Sequence, residues 1–286
     1  MGLWPTGEEG DTVISLEKQS GLPLAFDRER KRKLIFKEGI EQVEPVVRTR
    51  GEMEEVLFQP EEPGPQELYY MFRGVALEED RELLQQHGLR YDITFIKPGR
   101  IGREYLKTAG HYHPLKPGTE QTYPEVYEVI YGRAHYLLQK PKDDNYGELE
   151  RVILIAAKPG DKVLIPPHYG HITINPGEDP LVMSNFVAES CVSVYEPIRQ
   201  RGGGAYFEIK GEEGTEFLGN TQYYYLPPLR RCPVTTAPRL KLYRGLPLYH
   251  VFKEDPAYLS FLVNPENYVN AFEEYLEALL GGTTAP

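Results

Sequence analysis

The feature that most constrains this chain is a series of short apolar segments that glycine and proline repeatedly interrupt. Between Tyr91 and Glu196, eight segments rich in Val, Ile and Tyr follow one another. β-Branched and aromatic residues favour strands, whereas Gly and Pro favour the turns that join them. Such spacing is typical of a β-sandwich or β-barrel. We therefore predict a mainly β chain with strands at YDITFIKPG, EVYEVIYG, AHYLLQ, RVILIAA, KVLIPP, HITI, LVMSNFV and CVSVYE.

Helical patterns are confined to the flanks of this β region. The segment EEDRELLQQHG ends at Gly88, a residue suited to terminating a helix. Near the other end, Asn264 and Pro265 precede apolar residues at helical spacing, which predicts a helix that ends at Gly281. The five prolines of residues 221–248 predict an extended arm. We expect three parts: an N-terminal arm with added strands (1–79), a metal-binding barrel (80–206), and a Pro-rich arm with a C-terminal helix (207–286).

Charge and composition exclude several classes of protein. Lys and Arg total 32 against 43 Asp and Glu, so a formal charge of −11 disfavours nucleic-acid binding. No apolar run approaches the ~20 residues that a membrane span requires. The two cysteines, Cys191 and Cys232, cannot form a disulfide framework, and the N-terminal residues show no export signal. We expect a cytoplasmic protein with two inert thiols.

Three of the seven histidines fall in two short segments with the spacing of metal ligands. His111 and His113 stand two residues apart, so on a strand both imidazoles project from the same face. Glu125 begins the next predicted strand, which the loop at residues 114–124 can fold back beside the first. His171 starts a later strand after a Pro-Pro turn. Three imidazoles and one carboxylate suit a divalent first-row transition metal, and we expect one such ion per chain, either Fe, Mn, Ni or Zn.

These two segments resemble the signature motifs of the cupin superfamily. Six residues separate Glu125 from Gly132, as in the first motif, and Gly160, Pro166, His171 and Asn175 keep the spacing of the second. His168 stands where the second motif has a Gly, and eleven residues separate His113 from Glu125 where three or four are usual. The resemblance implies a jelly-roll-like cupin β-barrel with an enlarged first-motif loop.

Within that superfamily, residues 90–175 are most similar to the cupin-type glucose-6-phosphate isomerases of archaea and some bacteria. The similarity rests on ITFIKPGRIGREYLKTAGHYH, EVYEVIYG with LLQ after it, and IPPHYGHITIN. It implies that His111, His113, Glu125 and His171 are the metal ligands and that Thr94, Thr108 and Gly110 form a phosphate pocket. Tyrosines after the second motif bind substrate in this family, and Tyr195 and Tyr206 are both candidates. Tyr127 shares the pocket-facing side of its strand with Glu125 and is a further candidate for substrate binding.

A cluster of basic residues near the predicted phosphate pocket has two interpretations. It could attract a phosphate into an otherwise acidic protein, or it could be the solvated surface of a strand pair. The cluster comprises Lys97, Arg100, Arg103 and Lys107, offset by Glu104.

The resemblance implies an aldose-ketose isomerase that acts on glucose 6-phosphate and fructose 6-phosphate, a step of glycolysis and gluconeogenesis. Glu125 is the candidate base, although binding to a cation would weaken its basicity, so an enediol route and a hydride shift both remain open. Three histidines and one glutamate also serve dioxygenases, and a non-catalytic sugar-binding cupin is a third possibility. We expect a homodimer, because the Pro-rich arm and the C-terminal helix exceed what one small barrel needs to cover itself and because two-fold pairing is the commonest assembly.

Overall fold

The strands dominate the computed structural model, which describes residues 12–27, 34–143 and 145–282. The first eleven residues of the predicted N-terminal arm lie outside this part. The strands are β1 (Val13–Ser15), β2 (Leu24–Asp27), β3 (Ile35–Phe36), β4 (Val46–Thr49), β5 (Glu67–Phe72), β6 (Leu89–Ile96), β7 (Arg100–Ile101), β8 (Glu104–Tyr105), β9 (Glu125–Tyr131), β10 (Ala134–Lys142), β11 (Asn145–Ala157), β12 (Lys162–Ile165), β13 (Gly170–Ile174), β14 (Leu181–Ala188), β15 (Tyr206–Lys210), β16 (Thr215–Gly219) and β17 (Leu229–Cys232).

Two sheets form the body of the fold and confirm the mainly β, jelly-roll-like prediction. One sheet has the order β12-β9-β14-β6-β5-β4, and the other has the order β13-β10-β11-β17. Their inner faces meet where the ring of Tyr127 on β9 lies 5.4 Å from the ring of Tyr136 on β10. Side chains alternate between the two faces of a strand, so Glu125 and Tyr127 point to the same inner side. The inner space between these two sheets holds the site described below.

The prediction of a strand at CVSVYE is wrong. The backbone N–H of Cys191 bonds the carbonyl of Ala188, and this turn carries the chain away from the end of β14. Val194 then forms a single bridge to Tyr112, and Glu196 begins a helix with a proline in its first turn. Because proline lacks an N–H and fixes its own φ, this segment begins a helix readily but cannot extend a ladder. The other seven predicted segments each lie on a strand, from β6 to β14.

Short helices flank the sheets, as the sequence predicts. They are α1 (Glu17–Ser20), α2 (Arg50–Met53), α3 (Arg81–Gln86), α4 (Glu196–Arg199), α5 (Leu248–Glu254) and α6 (Val269–Gly281), with 3-10 turns at Glu54–Val56, Glu78–Asp80, Pro238–Leu240, Pro256–Leu262 and Pro265–Asn267. The C-terminal helix α6 begins later than the Asn264-Pro265 signal indicates, because that pair starts a separate 3-10 turn. No helix in the described ranges has both the length and the apolar character needed to cross a membrane.

The C-terminal segment packs on the outer face of the six-stranded sheet. The ring of Tyr249 on α5 lies 5.1 Å from Tyr91 of β6, and Phe252 lies 5.6 Å from Phe186 of β14. All four rings are buried. Aromatic contacts of this kind bury large apolar areas, so the segment covers a face of its own sheet that would otherwise meet water.

A buried ion pair fixes the start of this C-terminal segment. Glu128 on the outer face of β9 accepts 3.0 Å from Lys162 Nζ and 2.5 Å from the backbone N–H of Leu248. Lys162 also donates to the carbonyl of Leu246 at 2.5 Å. Both charges are therefore paired and hydrogen-bonded, as burial requires.

The three-part division of the chain at residues 79/80 and 206/207 stays a prediction. Strand β5, from the first part, pairs with β6, and β17, from the third part, pairs with β11 in parallel. A small sheet in the order β16-β15-β8-β7 and another in the order β1-β2-β3 complete the fold.

Candidate metal centre

The segment that carries the His-x-His pair runs beside β13. His111 forms a two-way backbone bridge with His171, with N···O distances of 3.2 and 3.0 Å. The N–H of Thr108 donates to the carbonyl of Thr173 at 2.8 Å and holds the same segment farther along. Residues directly opposite on paired strands bring their side chains together. Backbone pairing thus places one imidazole of the first motif against the imidazole of the second.

The loop at residues 114–124 returns the chain to Glu125 at the start of β9, as the sequence predicts. A bridge between Leu115 and Thr122 closes the loop, and Tyr123 N–H bonds the carbonyl of Pro114 at 3.2 Å. Lys116 ties the loop to the C-terminal segment, because its Nζ donates to Asn264 Oδ1 at 3.0 Å and to Glu266 Oε1 at 2.6 Å.

The four predicted ligands converge on one point. One ligand atom from each of His111, His113, Glu125 and His171 lies within 4.8 Å of the others. Glu125 Oε2 lies 3.3 Å from His113 Nε2 and 3.2 Å from His171 Nε2, and the Nε2 atoms of His111 and His113 are 3.2 Å apart. Glu125 Oε2 is buried and has no hydrogen-bond partner in the described chain.

This convergence fits a divalent transition metal. His113 Nδ1 lies 2.8 Å from the carbonyl of Tyr123, which places the ring proton there and leaves the Nε2 lone pair facing the centre. Nitrogen lone pairs and a carboxylate oxygen directed at one point repel one another unless a cation lies between them. Three nitrogens and one oxygen are typical ligands of first-row metals and leave positions open for a substrate.

Burial and close contacts set the protonation of His111, His171 and Glu125. Burial lowers the pKa of His111 well below its ordinary value, and the neighbouring His171 and His113 lower it further. Burial also lowers the pKa of His171, although contact with Glu125 opposes the effect. Burial by itself raises the pKa of Glu125, but the close contacts with His113 and His171 outweigh it and hold that pKa well below its usual range. Neutral imidazoles and an ionised carboxylate are the forms that bind a metal.

Two partners of the ligands escape prediction from the sequence. Asn185 of β14 donates from Nδ2 to Glu125 Oε1 at 2.6 Å, and the carbonyl of Tyr123 holds His113. Asn185 is a buried amide in the largely apolar strand LVMSNFVA. A buried amide needs hydrogen-bond partners, so its position in that strand is the one local signal of its role.

The predicted substrate residues divide between the centre and the surrounding structure. The hydroxyl of Tyr127 lies 3.1 Å from His171 Nε2, and burial followed by the charge of Glu125 raises the pKa of Tyr127 well above its usual value. The ring of Tyr195 lies 5.4 Å from that of His111. Tyr206 instead donates its hydroxyl to the carbonyl of Pro227 at 2.8 Å. Of the two candidates after the second motif, Tyr195 is the one in contact with a predicted ligand.

The three residues predicted to hold a phosphate have different surroundings. Thr94 is buried on β6 and pairs with Met183 and Met71 on the two neighbouring strands. The Thr108 hydroxyl accepts a 3.0 Å hydrogen bond from the backbone N–H of Thr173, so part of its role is structural. Gly110 has φ +76, and a Cβ there would collide with the side chain of Ile172. The left-handed backbone at Gly110 twists the chain just before the His-x-His pair.

His168 shows how the second motif tolerates its departure from glycine. Its φ is +69, so a non-glycine residue adopts the left-handed conformation of the turn. Its N–H donates to the hydroxyl of Thr122 at 2.6 Å, which ties the turn to the loop at residues 114–124. His168 is half-buried and does not belong to the converging group of ligands.

Comparison with known proteins decides the family. Residues 47–225, which include every predicted site residue, match the glucose-6-phosphate isomerase (GPI) family. The chain belongs to the glucose-6-phosphate isomerase family. This confirms the identification made from residues 90–175 and extends it in both directions.

Curated members of the family support this membership. Glucose-6-phosphate isomerase of Pyrococcus abyssi is 30% identical over 148 residues, which are 52% of this chain and 67% of that protein. The enzyme of Thermococcus gammatolerans is 30% identical over 51% of this chain and 68% of its own length. A putative glucose-6-phosphate isomerase 1 of Rhizobium meliloti is 32% identical over 40% of this chain and 48% of its own length.

Solved structures add no functional argument. An oxalate decarboxylase of Bacillus subtilis overlaps with a TM-score of 0.31 and 20% identity, over 46% of this chain and 29% of that one. That overlap is too low to bear on the activity of a glucose-6-phosphate isomerase family member.

Proposed function

We propose that this chain is a metal-dependent isomerase that interconverts glucose 6-phosphate and fructose 6-phosphate. Its ligands are His111, His113, Glu125 and His171, which hold one divalent ion, either Fe, Mn, Ni or Zn. The observation that carries the proposal is the convergence of these four groups within 4.8 Å, inside the segment that matches the isomerase family. A divalent ion at this centre would stabilise negative charge on the C1 and C2 oxygens of an open-chain sugar.

Glu125 has two possible roles in moving hydrogen between C1 and C2. As a base it would take the C2 proton, and as a ligand alone it would leave the hydrogen to pass directly between the carbons. Asn185 donates to Oε1 and the histidines face Oε2, so Glu125 must loosen one of these contacts to accept a proton. Transfer of solvent deuterium into the product distinguishes the routes, because only the proton-transfer route exchanges hydrogen with water.

The proposed substrate residues act around this centre. Tyr127 keeps its proton and presents a hydroxyl beside His171, where it can donate to a sugar oxygen. The ring of Tyr195 lies 5.4 Å from that of His111 and is proposed to limit the space for the substrate. Thr94, Thr108 and Gly110 are proposed to hold the phosphate. Tyr206, whose hydroxyl donates to the carbonyl of Pro227, is proposed to have a structural role.

A coupled assay tests the proposed function. Purified protein is supplied with fructose 6-phosphate, and glucose 6-phosphate is detected by the reduction of NADP with glucose-6-phosphate dehydrogenase. We expect turnover that falls to background after chelation and returns with one of Fe²⁺, Mn²⁺, Ni²⁺ or Zn²⁺. Equal turnover with and without metal would refute the metal-dependent mechanism, and no turnover with any of the four ions would refute the isomerase itself.

We also propose that the enzyme works in the cytoplasm as a homodimer. The two unpaired cysteines agree with a reducing compartment. The formal charge of −11 agrees with the absence of a nucleic-acid partner. The C-terminal segment covers its own sheet, so the dimer requires another surface. Tyr224 and Tyr225, which are 76% and 56% exposed, offer an aromatic patch suited to such an interface.

A further inference from the structure

An arginine that the sequence analysis did not single out lies beside the candidate metal centre. Arg48 is on β4, opposite Tyr69 of β5, at the edge of the six-stranded sheet. Its guanidinium carbon lies 5.6 Å from the centre of the Tyr195 ring. That ring in turn lies 5.4 Å from the ring of His111. One aromatic ring therefore contacts both the guanidinium of Arg48 and a proposed metal ligand.

Arg48 also adjoins the segment proposed to hold the phosphate. Its neighbour Tyr69 accepts a 3.2 Å hydrogen bond at its hydroxyl from the backbone N–H of Ala109, the residue between Thr108 and Gly110. Tyr69 is buried and interacts with Arg48 through its hydroxyl. Tyr69 thus links Arg48 to this segment. Tyr195 contacts both Arg48 and the proposed ligand His111.

The guanidinium of Arg48 has no firmly held charged partner in the described residues. Its Nε is buried and makes no hydrogen bond there. Its ion pair with Glu52 is long, at 3.7 Å, and Glu52 is 48% exposed. Glu52 already accepts two 2.8 Å hydrogen bonds from Thr49 in a helix-capping arrangement. A loose, exposed pair contributes little, and a buried N–H without an acceptor costs free energy that an anionic ligand would remove.

Several other basic residues in this region are engaged elsewhere. Arg90 donates from Nε to both oxygens of Asp92 at 3.0 Å. In the basic cluster considered from the sequence, Lys107 is buried and pairs with Glu104 at 2.5 Å, and Arg100 lies over the ring of Tyr105. These contacts favour the structural interpretation of that cluster and leave Arg48 as the better-placed cation.

We propose that Arg48 binds the phosphate group of the sugar phosphate, with Nε–H donating to a phosphate oxygen. This assignment rests on the proposed isomerase function. The guanidinium and the ring of His111 both contact Tyr195, so one open-chain hexose phosphate would meet Arg48 with its phosphate and the metal ligands with its reacting carbons. The planar guanidinium donates two parallel hydrogen bonds to a phosphate, which a hydroxyl cradle cannot do. Arg48 thereby adds a charge to the Thr94, Thr108 and Gly110 pocket.

The experiment compares Arg48→Ala and Arg48→Lys with wild type and with Arg100→Ala, which removes the same charge outside the proposed pocket. We measure the KM for fructose 6-phosphate, the kcat/KM for free fructose, the Kd of inorganic phosphate by calorimetry, and the metal content. Arg48→Ala is expected to raise the KM for the phosphosugar and the Kd for phosphate at least about tenfold, since it removes a charge-assisted hydrogen bond. Arg48→Lys is expected to have a smaller effect, because it keeps the charge, and Arg100→Ala is expected to have none.

Metal content and the turnover of free fructose separate binding from a structural role. Both are expected to stay within about twofold of wild type in the Arg48 variants. Equal losses for fructose and its phosphate, or an unchanged KM in Arg48→Ala, would overturn the proposal. If Arg48→Ala does not fold, the same comparison with Arg48→Lys decides. A wild-type protein that binds phosphate through Arg48 but does not interconvert the sugars would refute the isomerase and support the anion-binding role.

Discussion

At the scale of single residues, the ligands come from separate strands, and each contributes a lone pair to one buried point. His171→Gln removes one nitrogen ligand from the centre. We expect the metal content to fall from one ion per chain to near zero. We also expect kcat/KM to fall at least about a hundredfold, because the loss of a residue that only supports a metal ligand can already cost that much. Elemental analysis and the coupled assay measure both. His87→Gln, at the exposed end of α3, is the control, and equal metal content in the two variants would remove the site from consideration.

Asn185 permits a finer test, because it touches a ligand without being one. Asn185→Ala leaves Glu125 Oε1 without its 2.6 Å donor, so the carboxylate is less firmly oriented. We expect metal affinity to weaken by about tenfold to a hundredfold while all four ligands remain. Competition with a chromophoric chelator measures the affinity. Unchanged affinity would show that the backbone of β9 alone orients the carboxylate.

The two thiols should be inert, as expected from the sequence. Burial, followed by the charge of Glu125, raises the pKa of Cys191 to about 12, although Arg90 opposes the effect. Burial also raises the pKa of Cys232. A raised pKa keeps the reactive thiolate scarce below that value. At pH 8 we expect a disulfide reagent to label neither thiol in the folded protein and both in denaturant. Rapid labelling of Cys191 in the native protein would contradict its buried position.

At the scale of elements, the buried pair of Glu128 and Lys162 should dominate the attachment of α5. Glu128→Ala leaves the Lys162 ammonium and the Leu248 N–H without their acceptor. Breaking a buried pair in this way costs about 3–5 kcal/mol of the free energy of unfolding. Glu150→Ala is the control, because it breaks a partly exposed pair with Lys140 that contributes about 1 kcal/mol or less. Urea denaturation measures both, and equal losses would show that α5 is held mainly by its aromatic contacts.

Element-level patterns account for what the sequence could predict. Seven of the eight proposed strands could be located because strand residues and turn residues alternate regularly between Tyr91 and Ala188. CVSVYE has the same composition but fails, because a turn after β14 and the proline at position 197 redirect the chain. The His-x-His pair, Glu125 and His171 could be placed together because alternation and strand pairing fix which face each occupies.

Long-range contacts account for what could not be predicted. Arg48 and Asn185 reach the centre only through the order of strands in the sheet, which no local motif indicates. Hydroxyl and backbone donors in the motif can hold a phosphate without an arginine, so the motif itself does not indicate Arg48. The position of Arg48 opposite Tyr69 depends on β4 pairing with β5 and on β5 pairing with β6.

At the scale of the whole molecule, the prediction of a homodimer can be tested apart from the site. We expect light scattering at micromolar concentration to give twice the chain mass of 32.8 kDa. A Tyr224→Ser, Tyr225→Ser double variant removes the exposed aromatic patch and should shift the population towards monomer. A wild-type monomer would reject the dimer, while a dimeric double variant would place the interface elsewhere.

The bond between Lys116 and the C-terminal segment makes the isomerase core dependent on residues beyond the family match. The match ends at 225, yet Asn264 and Glu266 hold the loop whose Tyr123 carbonyl orients His113. The C-terminal segment can no longer be lost without damage, because its loss would release the loop at residues 114–124 and uncover Tyr91 and Phe186 at once. The matched region of this chain is therefore not interchangeable with that of shorter relatives. A graft that ends at residue 225 would carry the four metal ligands without the C-terminal residues that hold the loop beside His113.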